Sequence, residues 1–463
     1  MAKNQKQIQY TVYENAQTLK VEHLNEYGEG IAYLDGYEIY LKGAVDGETV
    51  LAQIGEPFAN GSKRRPGTIK EILISSPDRE ECFDESNLNI YPYAHLTYKG
   101  TLKRKQKMIK DALLQTKANA PEPSLIEECD VNTVCRFKSI RYFAEDSCRV
   151  VNGFYRMRSH EVLKVTSCPF EPLWFSDFAN RLCYLFTDKK VSVYNETTLK
   201  GTLRSLLLRD TIQGRLCVLN INESKADDSF RNDYLNICRE FLIDAVYLNF
   251  NPESGNTVLK GQMECLTEKK SITLNLKGLS YSAGPYTFLQ VNYPVAQKLY
   301  EYAVNFCKKD APEKSNALDM CCGCGTMTLM LGKHFCHVTG VEIVKEAVEA
   351  ARENALINGI ENVSFIAGDM TEVIPKLASE RDIYAAICDP SRNGLGEQNC
   401  KTLASIKSLK KIAFIFCSLK ALRRDVKTLC ECGFKVDEVK GFDMFPYTSH
   451  VETVVLMSRV NKG

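Results

Sequence analysis

From about residue 276 to the C-terminus, short apolar runs alternate with stretches whose apolar residues recur at helical spacing. One such run ends at Asp319, a turn carries Gly323 and Gly325, and Met327, Leu329, Met330 and Leu331 then resume at a spacing that a helix uses. That order predicts strand, tight loop, helix. Tyr286–Asn292, Val338–Glu342, Val363–Ile366, Ile383–Cys388, Ile412–Phe416 and Val451–Met457 read as further strands, and Val295–Phe306 reads as a helix. Strands alternating with helices predict an α/β fold with a parallel, doubly wound sheet, which binds ligands at the carboxyl ends of its strands.

The pattern is different upstream. Residues 1–75 carry short alternating runs broken by glycine, such as Tyr27–Gly36, Tyr37–Leu41 and Thr49–Ile54, and predict a small β-barrel. A polar joint at Pro77–Glu81 leads to an amphipathic helix that opens on the charge run Lys103–Lys107. Runs such as Leu216–Ile221 and Ala245–Phe250, mixed with helical stretches, predict a second α+β domain. The resulting division is 1–75, 76–275 and 276–463.

Composition narrows the class. The chain has 463 residues, 44% of them hydrophobic and 25% charged, and no apolar run approaches the roughly 20 residues of a membrane span. The polar N-terminus resembles no signal peptide, so the 19 cysteines read as thiols in a cytoplasmic protein. A net charge of only +1 leaves any nucleic-acid contact to local patches. Lys63–Arg65 with Lys70, Cys135–Lys138 and Gly153–His160 put cations in clusters or beside aromatic rings. That suits single-stranded RNA or ordinary surface packing.

The glycine turn points to a nucleoside-bearing cofactor. Glycines allow close backbone approach, and Glu342 ends the second strand 17 residues after Gly325, about where such sheets hold a ribose. A dinucleotide fingerprint needs a third small residue near the pyrophosphate, but Thr328 stands there, so S-adenosyl-L-methionine fits better than NAD. Asp389, Cys417 and Glu452 also stand out beside predicted strands, although each alone also reads as turn, packing or surface.

Taken together, these residues spell a known set. Phe288–Asn292, Leu318–Gly325, Asp389–Leu395, Cys417 with Leu422 and Arg424-Asp425, and Asp443–Glu452 resemble the ordered motifs of the RNA uracil-5 methyltransferases. The resemblance extends upstream to Arg158–Glu161. It implies a Rossmann-like S-adenosylmethionine methyltransferase domain behind a central RNA-binding domain. The N-terminal barrel resembles the TRAM module of many ribosomal RNA members.

What the resemblance implies about chemistry is specific. Cys417 is expected to add to C6 of uracil so that C5 becomes nucleophilic, and Glu452 to remove the C5 proton after methylation. Gln290, Cys321, Thr326, Glu342, Asp369 and Asp389 are expected to hold S-adenosyl-L-methionine. The expected product is 5-methyluridine in 23S ribosomal RNA, with transfer RNA as the alternative and with an RNA binder on a weakened catalytic scaffold as a second class. The protein is expected to act as a monomer, without a membrane.

Two departures from the family pattern matter. The usual Ser-Cys-Asn-Pro around the nucleophile is here Phe416-Cys-Ser-Leu419. Many members also hold a [4Fe–4S] cluster on four cysteines. Here Cys82 and Cys168 stand in the right neighbourhoods, but Leu88–Tyr91 has no cysteine, so no cluster and no metal are expected. Cys321, Cys322 and Cys324, like Cys430 and Cys432, lack paired zinc-ligand spacing and are expected to pack inside.

Overall fold

A computed structural model of the protein describes residues 11–59, 61–81, 90–156, 159–253, 255 and 258–460. Cys82, Leu88 and Arg158, named above, lie outside them. The chain divides into two compact units, one of Met1–Lys105 with Phe445–His450 and one of Gln106–Met444 with Val451–Gly463.

In the first unit, six strands between Gln17 and Ile74 form one curled sheet. Thr49–Ile54 shows why these residues make a strand: half-buried and buried positions alternate along it, the period of two that a sheet with one face on a core requires. Leu19, Val21, Ile39, Leu41, Val50 and Ala52 fill that core. The basic cluster does not stay whole on the surface. Arg65 is 1% exposed; its guanidinium lies over the Tyr37 ring, 4.0 Å from the centroid, and donates to the Thr11 carbonyl at 2.7 Å. Part of the Lys103–Lys107 run is spent in the same way. Arg104 pairs with Asp46 and Asp78, and buried Lys105 donates to the Phe445 carbonyl at 2.8 Å.

The second unit holds two large sheets. A seven-stranded sheet built from strands between Lys138 and Cys265 packs Phe143, Leu206, Leu208, Leu219 and Val246 against the helices Leu173–Asp188 and Asp228–Glu240. Phe137 of the Cys135–Lys138 motif is buried and stacks on Tyr293 at 4.8 Å. Tyr155 of the Gly153–His160 motif stacks on Tyr142 at 3.7 Å. No helix among the described residues is long and apolar enough to cross a membrane.

The eight-stranded sheet positions the site. Its spatial order is Val363–Ala367, His337–Glu342, Asn316–Met320, Ala385–Cys388, Lys411–Phe416, Glu452–Arg459, Phe434–Phe442, Ser124–Glu127. The first five strands are parallel, and Glu452–Arg459 runs antiparallel to both neighbours. Ala385–Cys388 is buried at every position, which is why such strands read as unbroken apolar runs.

Two readings of the chain change here. Tyr286–Asn292 is a loop, not a strand. Its carbonyls take partners other than a ladder: Arg209, which also donates to Gly284 O at 2.9 Å, donates to Thr287 O at 2.6 Å, Cys324 to Phe288 O at 3.5 Å, and Phe137 N–H to Val291 O at 2.8 Å. Ser124–Glu127, at the start of the stretch read as central, pairs in parallel with Phe434–Phe442 at the edge of the C-terminal sheet.

Candidate active site

The carboxyl edge of the parallel strands collects most of the chemistry in spatial sequence. Met320 pairs with Val341 on one side and Cys388 on the other, so the next residues, Glu342, Cys321 and Asp389, form a row. Cys417 follows the strand Lys411–Phe416. Because Phe416 pairs with Thr453 in the antiparallel neighbour, Cys417 and Glu452 come level, one step further along the register. Cys417 also precedes Ser418, the N-cap of the helix Leu419–Glu431, whose hydroxyl accepts from Ala421 N–H at 3.5 Å. The Ser418-Leu419 departure therefore keeps a capping side chain.

On the other side of the row the turn Cys321–Gly325 enters the helix Thr326–Gly332. Cys321 and Gly325 have φ of 63° and 85°, and a Cβ on Gly325 would sit 3.1 Å from Ala351 Cβ and the Phe365 ring. Glycine is the residue that this backbone admits. The Glu342 carboxylate accepts from Gly323 N–H at 3.1 Å, Ile343 N–H at 2.8 Å and Val344 N–H at 3.0 Å. Thr326 is buried with its hydroxyl 3.6 Å from Cys324 Sγ, and Gln290 is 8% exposed in the loop that Arg209 fastens. Asp369 is exposed and caps the helix Met370–Glu380, accepting from Thr371 N–H at 2.7 Å.

This cradle fits S-adenosylmethionine better than a dinucleotide. Thr328, at the place of the third small residue, is fully buried and donates to Asp319 at 2.6 Å, so a carboxyl group lies beneath the turn. The other oxygen of Asp319 finds no hydrogen-bond partner among the described residues. Burial, with Asp389 and Glu342 adding to it, pushes Asp319 up to about 7. Asp319, Glu342 and Asp389 thus line one edge with carboxyl groups, which a neighbouring cation would ionise and which offer phosphates no donor beyond backbone N–H. Glu342 is tied to the turn through Gly323 N–H, and Cys324 of the turn reaches the loop of Gln290 through the Phe288 carbonyl.

The reacting end is equally distinctive. Burial pushes Asp389 up to about 7. Burial first, then the neighbouring Asp389, pushes Glu452 up to about 8, with Arg392 opposing. Glu452 is 3% exposed, and its Oε2 has no hydrogen-bond partner among the described residues. Burial followed by Glu452 and Asp389 pushes the Cys417 thiol up to about 11, again against Arg392. Perturbed groups gathered at a sheet's carboxyl edge mark a functional site. Arg392 was missed in the sequence as a site residue. Its signal was a cation in the turn that follows Asp389.

Elsewhere, Cys322 and Cys324 are buried, whereas Cys321, Cys430 and Cys432 are partly exposed. No three His, Cys, Asp or Glu side chains among the described residues gather as a metal site.

Known proteins agree with this architecture. The chain is 30% identical over 447 residues to a Bacillus cereus protein named as an uncharacterized RNA methyltransferase, covering 95% of this chain and 96% of that one. A Clostridium acetobutylicum protein of the same description is 30% identical, with 97% and 98% covered. The crystal structure of Pyrococcus abyssi tRNA (uracil-54, C5)-methyltransferase in complex with S-adenosyl-L-homocysteine superposes with a TM-score of 0.74 at 24% identity, over 95% of this chain and all of that one. Residues 97–460 match the tRNA (Uracil-5-)-methyltransferase family, and the chain, an RNA methyltransferase with a Rossmann-like domain, belongs to that family.

Proposed function

We propose that the protein methylates C5 of a uridine in RNA, with Cys417 as nucleophile and Glu452 as general base. The observation that carries this reading is the strand register that brings a thiol and a buried carboxyl level at one sheet edge, on the same edge as the glycine turn. S-adenosylmethionine, when bound, supplies a methyl group on a cationic sulfur. The Cys417 thiolate adds to C6 of the uracil ring, and the electron pair displaced from the C5–C6 bond makes C5 nucleophilic. Once C5 carries the methyl group, Glu452 in its carboxylate form takes the C5 proton, the C5–C6 double bond re-forms and the Cys417 sulfur leaves as thiolate. Burial first, then the charges of Asp389 and Arg392, shifts the ionisation of both groups. A stacked base hides C5 and C6, so the target uridine is unpaired or flipped out.

Ribosomal RNA is the substrate we favour, on the curled N-terminal sheet that resembles the module of ribosomal members. The transfer RNA reading rests on the family description and on the Pyrococcus abyssi enzyme. Incubation with ribosomal and transfer RNA transcripts containing 5-fluorouracil, plus methyl donor, tests both. Fluorine cannot leave as a cation, so an adduct that survives denaturing gels and is absent from Cys417→Ser is expected with the true substrate. No adduct with either RNA overturns the enzyme reading in favour of an RNA binder.

A further inference from the structure

The helix that begins beside Cys417 does a second job eight residues on. Its buried face, Ala421, Leu422, Asp425, Val426, Thr428 and Leu429, carries one charged group, Asp425, which is fully buried. A buried carboxylate costs several kcal/mol unless its oxygens are hydrogen-bonded. Asp425 spends its oxygens on the segment after Asp389: Oδ2 accepts from Leu395 N–H at 2.8 Å and Gly396 N–H at 3.4 Å, while Oδ1 takes Arg424 Nε at 2.7 Å. Arg424 reaches the same segment, donating to the Asn393 carbonyl at 2.6 Å.

The segment is shaped for this grip. Gly394 N–H donates to Ser391 O at 2.8 Å, closing a turn with Arg392 at its second position. Gly394 has φ of 68°, and a Cβ there would lie 2.3 Å from Asp425 Oδ2. The backbone thus lies directly on the helix, and Arg392 projects from a turn held at Asn393, Leu395 and Gly396.

We propose that Asp425, assisted by Arg424, is a positioning residue that fixes the Ser391–Gly396 turn so that Arg392 stays beside the Cys417 and Glu452 side chains. One helix then carries the thiol at its entrance and, two turns later, the clamp for the turn that bears Arg392, a cation that opposes the two acids at that thiol. Glu452 at the start of the strand Glu452–Arg459, Asp389 just before the gripped segment and Arg392 within it all act electrostatically on Cys417. Displacing Arg392 leaves two acids to oppose the thiolate. This inference rests on the proposed role of Cys417, but its test does not need RNA.

The experiment follows iodoacetamide labelling of the Cys417 peptide against pH by mass spectrometry in the intact chain. Asp425→Asn is expected to raise the labelling midpoint by at least about half a pH unit, and Asp425→Asn combined with Arg392→Gln to raise it no further than Arg392→Gln alone. Val426→Ala, on the same buried face but with no polar group to grip the turn, controls for loosened packing and should leave the midpoint in place. In methyl transfer, kcat should fall roughly 10- to 100-fold with little change in KM for RNA. If Asp425→Asn does not fold, Arg424→Gln, which keeps the buried carboxylate, should shift the midpoint in the same direction by less. A midpoint in these variants equal to that of Val426→Ala overturns the proposal. The fluorouracil adduct of the wild type is read separately: its absence with a shifted midpoint removes the methylation reading and leaves the clamp standing.

Discussion

Glu452 stands level with Cys417 across two antiparallel strands, one register step beyond the Phe416–Thr453 pair. Residues directly opposite in such a pair project to the same face with Cβ atoms about 4.5–5.5 Å apart. On the proposed mechanism, one pyrimidine ring meets both groups, at C6 and at the proton on C5. Removing the base while keeping the nucleophile should therefore stop the reaction midway. Glu452→Gln is expected to accumulate a covalent protein–RNA adduct with ordinary uridine RNA, visible on denaturing gels, whereas Cys417→Ser forms none.

The same substitution should stabilise the fold at alkaline pH. Glu452 is held protonated in the folded state, up to about 8, by burial and by Asp389. A carboxyl group raised in this way contributes fully below its unfolded value, near 4.5, and loses that contribution as pH rises towards 8. Asp389 and Asp319, both pushed up to about 7, act in the same direction. Urea unfolding of the wild type should weaken from pH 5 to pH 8. Glu452→Gln should flatten that slope and gain on the order of 1–3 kcal/mol at pH 8.

Charge in the cofactor should be legible at the thiol. Burial and two acids keep Cys417 protonated in the unliganded protein, up to about 11, and a nearby cation favours the thiolate. S-adenosylmethionine is expected to lower the pH midpoint of Cys417 alkylation, and S-adenosylhomocysteine, which lacks the sulfonium charge, to lower it much less. Equal effects from the two ligands would place the sulfur away from the thiol.

Arg209 should matter for cofactor affinity although it lies in the other sheet. Its guanidinium holds two carbonyls of the Gly284–Thr287 segment, which leads into Gln290. Lysine keeps the charge but cannot span both acceptors with a planar fork. Arg209→Lys should raise KM for the methyl donor by about tenfold while leaving KM for RNA nearly unchanged.

The two glycines of the turn should respond differently to a methyl group. Gly325→Ala meets Ala351 and Phe365 at 3.1 Å with φ of 85°, whereas Gly323→Ala points into open space with φ of 53°. We expect a loss of roughly 2 kcal/mol for the first and about 1 kcal/mol for the second by denaturant unfolding.

Much of the C-terminal fold was legible in the chain because buried parallel strands read as unbroken apolar runs, as at Ala385–Cys388. The cradle at Gly323, Gly325 and Glu342 was legible because its signals lie within one strand–turn–helix–strand unit, where spacing in sequence fixes spacing in space. Tyr286–Asn292 misled because its alternation looked like a strand, while its carbonyl partners, Arg209 and Cys324, are distant in sequence. Ser124–Glu127 went unread because four residues carry no mark of the sheet they join, and its partner strand starts some three hundred residues later.

By itself, the sequence determined the parallel strands at the centre of the doubly wound sheet, the helix after the glycine turn and the residue types able to do chemistry at the strand ends. Hydrophobic period and turn residues are local properties and need no partner to be read. Tertiary structure alone decided that Cys417 and Glu452 share a register step, that Asp425 grips the turn bearing Arg392, and that Arg65 turns inward. Those outcomes depend on strand pairing, hydrogen bonding and desolvation between groups far apart in the chain, and such interactions exist only once the sheets have formed.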